Sequence, residues 1–433
     1  MRQQLAAQLV SSLLTDSNEA PMSAVRRGYK QTEVGVIPED WEVSSLREIV
    51  RSGPKNGYSG PAGDALSGTQ TLSLAATSSG RMILNETTVK HLAQIIPASS
   101  PLFLEAGDVL VQRANTADLV GTTAVFNGPT ATYIYPDLMM RLRFGRRSTG
   151  EWFWRYANSG NGRAFFRSAA AGSTGTMPKI SGEALRNMPV PIAPPSEEEA
   201  IAEALSDADA LIESLEQLLT KKRQIKQGAM QELLTGKKRL PGFQSKPGYR
   251  QTEVGVTPED WDVRPLDRIS IMKSGEGITS TSIDQTSPYP CYGGNGLRAY
   301  ATRFTHEGEY ALIGRQGALC GNVVGVQGRF FASEHAIVVT PLAATDIRWL
   351  TLILRDMNLN RYSESSAQPG LSVAKVLGLT TAVPKEPEEQ TAIASVLSDM
   401  DVDIATLETK LTKAQQIKQG MMQNLLTGKI RLV

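Results

Sequence analysis

Two polar loops contain side chains whose donors and acceptors suit the edges of nucleic-acid bases. Each loop follows a Gly-acid pair and a short apolar run, in GDVLVQRANTADLVGTTAVF (107–126) and in GEYALIGRQGALCGNVVGV (308–326). Guanidinium forks and amides are the groups that read base edges in the major groove. We predict DNA contacts from both loops, through Arg113, Asn115, Thr116, Arg315 and Gln316. The alternative is a tight structural hairpin, which Gly314 and Gly317 would also explain.

Basic side chains in the same two stretches could neutralise phosphates. Residues 44–195 hold 15 basic and nine acidic residues, and residues 264–384 hold 11 and nine, whereas the whole chain has a net charge of only +1. Any basic surface must therefore come from local segregation of charge. For each candidate the alternative is a plain solvated charge. The candidates are Lys55, Arg141, Arg143, Arg146, Arg147, Arg163, Arg167, Lys273, Arg298, Arg303 and Lys375, with Tyr58 and the Tyr292–Asn295 loop as weaker candidates for base contacts.

Motifs for catalysis and metal binding are missing from the sequence. Pro194-Pro195 lacks the flanking residues of an amino-methyltransferase motif. YGGNG (292–296) is too short for an S-adenosylmethionine loop, and the Gly-Lys pairs lack the rest of a phosphate-binding loop. The two cysteines and three histidines are isolated in sequence. We expect no enzymatic activity and no resident cofactor or metal.

Two segments of the sequence each occur twice. GYKQTEVGVIPEDWEV (28–43) returns as GYRQTEVGVTPEDWDV (248–263), and RQIKQGAMQELLTGKKRL (223–240) returns as QQIKQGMMQNLLTGKIRL (415–432). The acids of each PEDW turn could suggest a metal site, but a turn that occurs twice is better interpreted as a structural entry to each domain, with its tryptophan in the core. The segments between these repeated stretches, here called the two middles, differ in length and sequence. We interpret them as diverged copies of one fold.

Each copy ends in a long amphipathic helix. Acids fill its first turn, and glycine stops it, at Gly236 in the first copy. Gly228 and Gly420 interrupt both helices at the same point, which indicates either a close helix contact or a bend. Apolar residues recur at spacings of 4 and 3, which is typical of a coiled-coil seam. The seam residues are Ile201, Leu205, Ile212, Leu215, Leu219, Ile393, Leu397, Ile404, Leu407 and Leu411.

These elements predict an α/β (α+β) protein with a pseudo-twofold internal repeat. Two globular domains would be separated by two long helices that form an antiparallel coiled coil, and the alternative is two helices that each pack on their own domain. The predicted divisions are an N-terminal helix and linker at 1–27, a first domain at 28–195, a helix at 196–240, a linker and second domain at 241–387, and a helix at 388–433. The N-terminal stretch MRQQLAAQLVSSLLTD (1–16) would form a short amphipathic helix rather than a signal peptide.

No run of about 18 apolar residues occurs, so we expect a cytoplasmic protein without a membrane partner. Two similar but non-identical domains at a fixed separation suit duplex DNA, where binding elements must match the helical repeat.

The doubled layout resembles the specificity subunits of type I restriction–modification systems. The resemblance rests on the order and duplication of TEVGVxPEDW and QIKQGxMQxLLTGK, from about Gly28 onward. It implies that each variable segment is a target recognition domain for one half of a bipartite, asymmetric DNA sequence. It also implies that the helices set the spacer and dock two methyltransferase subunits, and that two motor-nuclease (restriction) subunits join the complex. S-adenosylmethionine, ATP and magnesium would bind to those partners.

A different class of function also fits part of the pattern. A coiled-coil scaffold that joins proteins without contacting DNA would explain the helices. It gives no reason for the middles to diverge while their frames stay fixed.

Overall fold

The computed structural model describes residues 27–63, 68–170, 177–243, 248–317, 319–363 and 370–432. They fall into two compact units: unit 1 is Met1–Leu215 with Lys410–Val433, and unit 2 is Glu216–Thr409. The predicted N-terminal helix lies outside the described residues. Each unit takes the first part of one long helix and the last part of the other, a division that the linear order of the repeats does not indicate.

The strands of unit 1 are β1 (Tyr29–Thr32), β2 (Gly35–Pro38), β3 (Glu42–Ser45), β4 (Val50–Asn56), β5 (Gln70–Leu72), β6 (Val89–His91), β7 (Val109–Gln112), β8 (Thr123–Val125), β9 (Tyr133–Ile134), β10 (Met139–Phe144) and β11 (Pro189–Ile192). They form a four-stranded sheet with the order β4-β10-β7-β8. A second sheet has the order β6-β5-β9, and β1-β2 and β3-β11 form two-stranded pairs. The helices are α1 (Leu46–Ile49), α2 (Arg147–Asn158), α3 (Gly160–Ala169), α4 (Gly182–Arg186) and the long α5 (Pro195–Leu233).

The core of unit 1 lies where α2 packs on the larger sheet. All four residues of β7 are buried, as expected for a short apolar strand between two neighbours. Trp152 of α2 meets Trp41 edge to face, with ring centroids 5.5 Å apart. Trp41 is fully buried, which confirms the prediction that the PEDW tryptophan anchors the domain.

Unit 2 repeats this plan with a larger sheet, in the order β15-β21-β19-β20-β17-β18-β16. The pairs β12-β13 and β14-β22 repeat β1-β2 and β3-β11. Its strands are β12 (Tyr249–Thr252), β13 (Gly255–Pro258), β14 (Trp261–Pro265), β15 (Ser270–Ser274), β16 (Ile283–Asp284), β17 (Tyr289–Gly293), β18 (Gly296–Ala301), β19 (His306–Gly314), β20 (Val323–Ala332), β21 (Ala336–Pro341) and β22 (Thr380–Pro384). Its helices are α6 (Ile347–Asp356), α7 (Val373–Leu377) and the long α8 (Pro387–Leu425). The order β15-β21-β19-β20 repeats β4-β10-β7-β8, so the two middles share the topology of this part of the sheet, and the remaining strands are arranged differently.

The two long helices are antiparallel within each unit. In unit 2, Lys222 and Lys226 of α5 form ion pairs with Asp403 and Asp401 of α8, respectively. Residue numbers therefore decrease along α8 in the direction in which they increase along α5, as in antiparallel helices. In unit 1, the start of α5 shares a core with Leu425 near the end of α8. All ten predicted seam side chains are buried or half-buried, whereas residues such as Leu211 and Val402 between them are exposed.

Each long helix begins and ends in the same way. Proline opens both helices with two glutamates in the first turn, where carboxylates favour the helix dipole. Gly236 and Gly428 follow the last turns with φ of +71° and +65°, a left-handed conformation that glycine adopts without strain. At Gly228, inside α5, an added Cβ would meet open space, so no close contact explains that glycine.

An arginine just after each helix end forms what we call the helix-end ion cluster. In unit 2, Arg239 bonds both carboxylate oxygens of Glu389, at 2.6 and 2.9 Å, and Asp260 at 2.6 Å, and the Trp261 indole N–H donates to Glu389. In unit 1 the same positions are held by the residues Arg431, Glu197, Asp40 and Trp41. The aspartate of each PEDW turn is therefore structural, as predicted.

Candidate nucleic-acid interface

The two predicted loops lie at the same end of equivalent sheets. In unit 1, β4 and β7 end where β10 begins, and the loop containing Arg113 connects β7 to β8. In unit 2, β15 and β19 end where β21 begins, and the loop containing Arg315 connects β19 to β20. The predicted arrangement of strand, polar loop, glycine and strand is confirmed in both units.

Backbone hydrogen bonds hold the two arginines in the same way. The Arg113 N–H donates to the Leu138 carbonyl at 2.8 Å, and the Arg113 carbonyl accepts from the N–H of Ile180 at 2.9 Å. The Arg315 N–H donates to the His335 carbonyl at 2.8 Å, and the Arg315 carbonyl accepts from the N–H of Leu371 at 2.9 Å. Arg113 and Arg315 are therefore equivalent positions on rigid backbone, although the sequences around them differ.

A lysine occupies a second equivalent position. Lys55 and Lys273 lie near the ends of β4 and β15, each two residues before a glycine. Those glycines, Gly57 and Gly275, donate N–H bonds to Met139 and Ala336 respectively, the first residues of the neighbouring strands. Both lysines are exposed, so each unit presents a lysine and an arginine at one sheet end.

The polar side chains next to the arginines are partly engaged. Asn115 donates to the buried Gln112 at 2.6 Å and accepts from the Thr116 N–H at 2.7 Å, contacts that fit the structural alternative for Asn115. In unit 2, the Gln316 oxygen lies 3.1 Å from His335 Nδ1. The Arg315 guanidinium donates to Ser274 at 3.3 Å, a long bond that leaves most of its donors available.

Two arginines of β10 that were predicted to contact DNA are used inside unit 1 instead. Arg141 is buried and donates to the carbonyls of Pro101 and Phe103. Arg143 forms a two-bond pair with the buried Asp108, at 2.6 and 3.1 Å. That hydrogen-bonded pair raises the pKa of the Arg143 guanidinium. Neither environment fits a phosphate contact.

Arg163 is half-buried beside Phe166 and donates to the Asp118 carbonyl at 2.9 Å. Burial lowers the pKa of its guanidinium. Arg146, Arg147 and Arg303 form ion pairs with acids of their own units. The remaining predicted residues that are exposed are Lys55, Thr116, Arg167, Lys273, Asn295, Arg298, Gln316 and Lys375.

Sequence reasoning missed two acids at the same sheet ends. Asp137 and Glu334 each stand one residue before the carbonyl that holds Arg113 or Arg315. An internal alignment of PDLMM (136–140) with SEHAI (333–337) contains the signal, an acid two residues before an apolar strand. We call Lys55, Arg113 and Asp137, and their equivalents Lys273, Arg315 and Glu334, the sheet-end clusters.

Two kinds of feature are absent from the described residues. No group of histidine, cysteine, aspartate and glutamate side chains there could hold a metal ion. No helix in that part of the chain combines the length and apolarity that membrane crossing requires.

Part of the chain matches a known protein family. Residues 258–419 match the family described as the type I restriction modification DNA specificity domain. The EcoprrI specificity subunit of Escherichia coli is 41% identical over 165 residues, which are 37% of this chain and 40% of that protein. The chain therefore spans less than half of the length of this relative. The family match and this relative confirm the resemblance to type I specificity subunits.

More distant specificity subunits match over longer stretches. The MjaVIII specificity subunit of Methanocaldococcus jannaschii is 24% identical over 304 residues, 62% of this chain and 68% of that one. The S subunit of a type I restriction–modification system from M. genitalium shares the fold, with a TM-score of 0.61 at 14% identity, over 94% of this chain and 99% of that one.

Proposed function

We propose that this chain is the non-catalytic DNA-recognition subunit of a type I restriction–modification enzyme. Each unit reads one half of a bipartite, asymmetric target, and the paired long helices set the unspecified spacer and dock two methyltransferase subunits. Restriction subunits join through that complex. S-adenosylmethionine, ATP and magnesium act on the partner subunits, and the assembly works in the cytoplasm.

One observation carries the proposal. Two domains of different sequence present an arginine and a lysine at the same end of equivalent sheets, on backbone that both domains hold in the same way. Positions that are fixed by backbone bonds and carry forked donors suit base readout, and exposed lysines suit phosphates. A shared frame with divergent loops fits a protein whose partners are constant and whose two half-sites differ.

The proposal is tested by sequencing modified bases in a host that expresses this chain with its methyltransferase subunit. We expect methylation only when both are present, at one two-part motif with a fixed gap. The control host expresses the methyltransferase subunit alone. If the two proteins copurify but methylation is absent or unchanged, the DNA-reading role is refuted and the coiled-coil scaffold explains the complex.

Salt dependence gives a second readout on purified complex. Replacing Lys273 with alanine should weaken binding to all duplexes alike and reduce the slope of log affinity against log salt by about 1. Replacing Arg315 should instead relax the choice of base at one position. Arg264→Ala is a matched control, because Arg264 is exposed and pairs with Asp262 away from the sheet end.

A further inference from the structure

The sheet-end clusters contain an acid as well as two cations. The acid side chains are accessible: Asp137 is exposed, and 39% of the Glu334 side chain is exposed. In contrast, Asp108, a buried acid of the same sheet, is fully engaged by Arg143. The accessible acids therefore differ from those that hold the fold together.

The contacts of these acids leave acceptor capacity. Asp137 accepts from the Ser59 hydroxyl at 2.5 Å, and Glu334 lies 3.3 Å from His335 Nε2. An ionised carboxylate has about four lone-pair sites, so one such contact leaves most of those of the exposed Asp137 available. In Glu334, Oε2 is buried without a hydrogen-bond partner among the described residues, so Oε1 is the oxygen that would face a base. Ser59 and His335 fix the direction of the carboxylates without neutralising them as a buried arginine would.

An accessible carboxylate on a DNA-facing surface weakens binding, because it repels phosphates. Both units nevertheless place one at the same backbone position, one residue before the anchor of the arginine. A base-edge contact accounts for this cost, since carboxylates accept from the N4 amino group of cytosine, and arginine donates to O6 and N7 of guanine. In a G·C pair these groups lie side by side in the major groove.

We propose that Asp137 and Glu334 are specificity-determining acceptors, and that with Arg113 and Arg315 each reads a G·C pair, one in each half of the target. The inference rests on the proposed function. The carboxylate takes the cytosine amino group and the guanidinium takes guanine. Thymine O4 and guanine O6 are rejected at the cytosine position, because a carboxylate repels an acceptor.

The test uses Glu334→Gln and Asp137→Asn in the full chain, each coexpressed with the methyltransferase subunit, with modified bases sequenced genome-wide. An amide donates as well as accepts, so each variant should lose about tenfold discrimination at one G·C position. Glu334→Gln should relax one half of the motif and Asp137→Asn the other. Exposed acids of surface ion pairs serve as matched controls: Glu307→Gln in unit 2 and Glu183→Gln in unit 1 should leave the motif intact.

The outcomes separate the two proposals. A wild-type chain that directs no two-part motif refutes the proposed function. A wild-type motif that both variants preserve, in proteins whose melting temperatures match the wild type, overturns the inference and leaves the proposed function standing. A motif without a G·C pair in either half also overturns it.

Discussion

Removing Arg239 should destabilise unit 2 severely. Its side chain is only 5% exposed, and it bonds two carboxylates of which Glu389 is 3% and Asp260 8% exposed. Burial disfavours its charge, but the bonds to Glu389 and Asp260 outweigh that effect and raise the pKa of Arg239. The Arg239→Ala variant leaves two acids in a site that water barely reaches.

The expected magnitude follows from the number of stranded charges. Breaking a buried ion pair by removing one partner costs about 3–5 kcal/mol, because the other charge stays buried. For a unit of this size, 1 kcal/mol corresponds to about 2–4 °C in melting temperature. We therefore expect the melting transition of unit 2 to fall by roughly 6–20 °C.

The equivalent change in unit 1 provides an internal comparison. Arg431 is 30% exposed, and of its partners Asp40 is 53% exposed while Glu197 is fully buried. Only one buried acid is stranded when Arg431 is removed, so Arg431→Ala should cost less than Arg239→Ala. The hydrogen bond from Arg431 also lowers the pKa of Asp40.

The assay is calorimetry with hydrogen exchange to assign each transition, since a two-unit chain need not unfold in one step. Arg264→Ala, which removes an exposed pair, should shift melting by no more than about 4 °C. Combining Arg239→Met with Glu389→Gln should recover part of the loss, because it removes a stranded charge. The reasoning is refuted if Arg239→Ala costs no more than Arg264→Ala.

Three other changes should alter stability in stated directions. Burial raises the pKa of Glu198 to about 6 although Arg146 lies 3.6 Å away, and the oxygens of Glu198 have no hydrogen-bond partner among the described residues. Gln390 at the equivalent position of unit 2 instead bonds Asp346, Ala344 and Pro384. Because the pKa is raised, the stability that Glu198 contributes below pH 4.5 is lost as the pH rises through 6. Glu198→Gln should therefore stabilise unit 1 by up to about 2 kcal/mol at pH 7.5 and make its melting temperature less dependent on pH. An unchanged pH dependence would contradict this. Gly228→Ala should raise stability by about 1 kcal/mol in thermal melts, since an added Cβ meets open space in a helix, and a loss would indicate that this glycine is needed. Asp209→Ala should lower the melting temperature of unit 1, because Asp209 bonds both Arg81 and Lys418, and a neutral result would count against that ion pair network.

Much of the architecture could be predicted because short, continuous stretches of sequence determine it. The seam spacing, the proline and acids at the helix starts and the glycine after the helix ends all fix the long helices within one stretch of chain. The loops with Arg113 and Arg315 could also be located, because each follows an apolar strand and precedes a glycine. The division into units could not be predicted, because both helix ends carry nearly the same sequence and the sequence does not show which of them each PEDW turn contacts.

The basic residues show where sequence reasoning stops. Arg141 and Arg143 look like a phosphate-binding patch in RLRF, but β10 lies between two strands of the sheet. The acid that engages Arg143, Asp108, is 35 residues away, so charge counts give no sign of the pairing. The net charge of +6 for residues 44–195 therefore overstates the positive charge that is available to DNA.

This correction makes the sheet ends more informative. Once the engaged arginines are removed, unit 1 no longer holds a large excess of candidates over unit 2, and what the two units share is a lysine, an arginine and an acid at equivalent positions. Neutralising phosphates alone would favour cations there, because every added carboxylate lowers affinity. An acid one residue before the carbonyl that binds the arginine, in both units, instead fits the proposed discrimination between bases, since selectivity depends on repelling the wrong base as well as binding the right one.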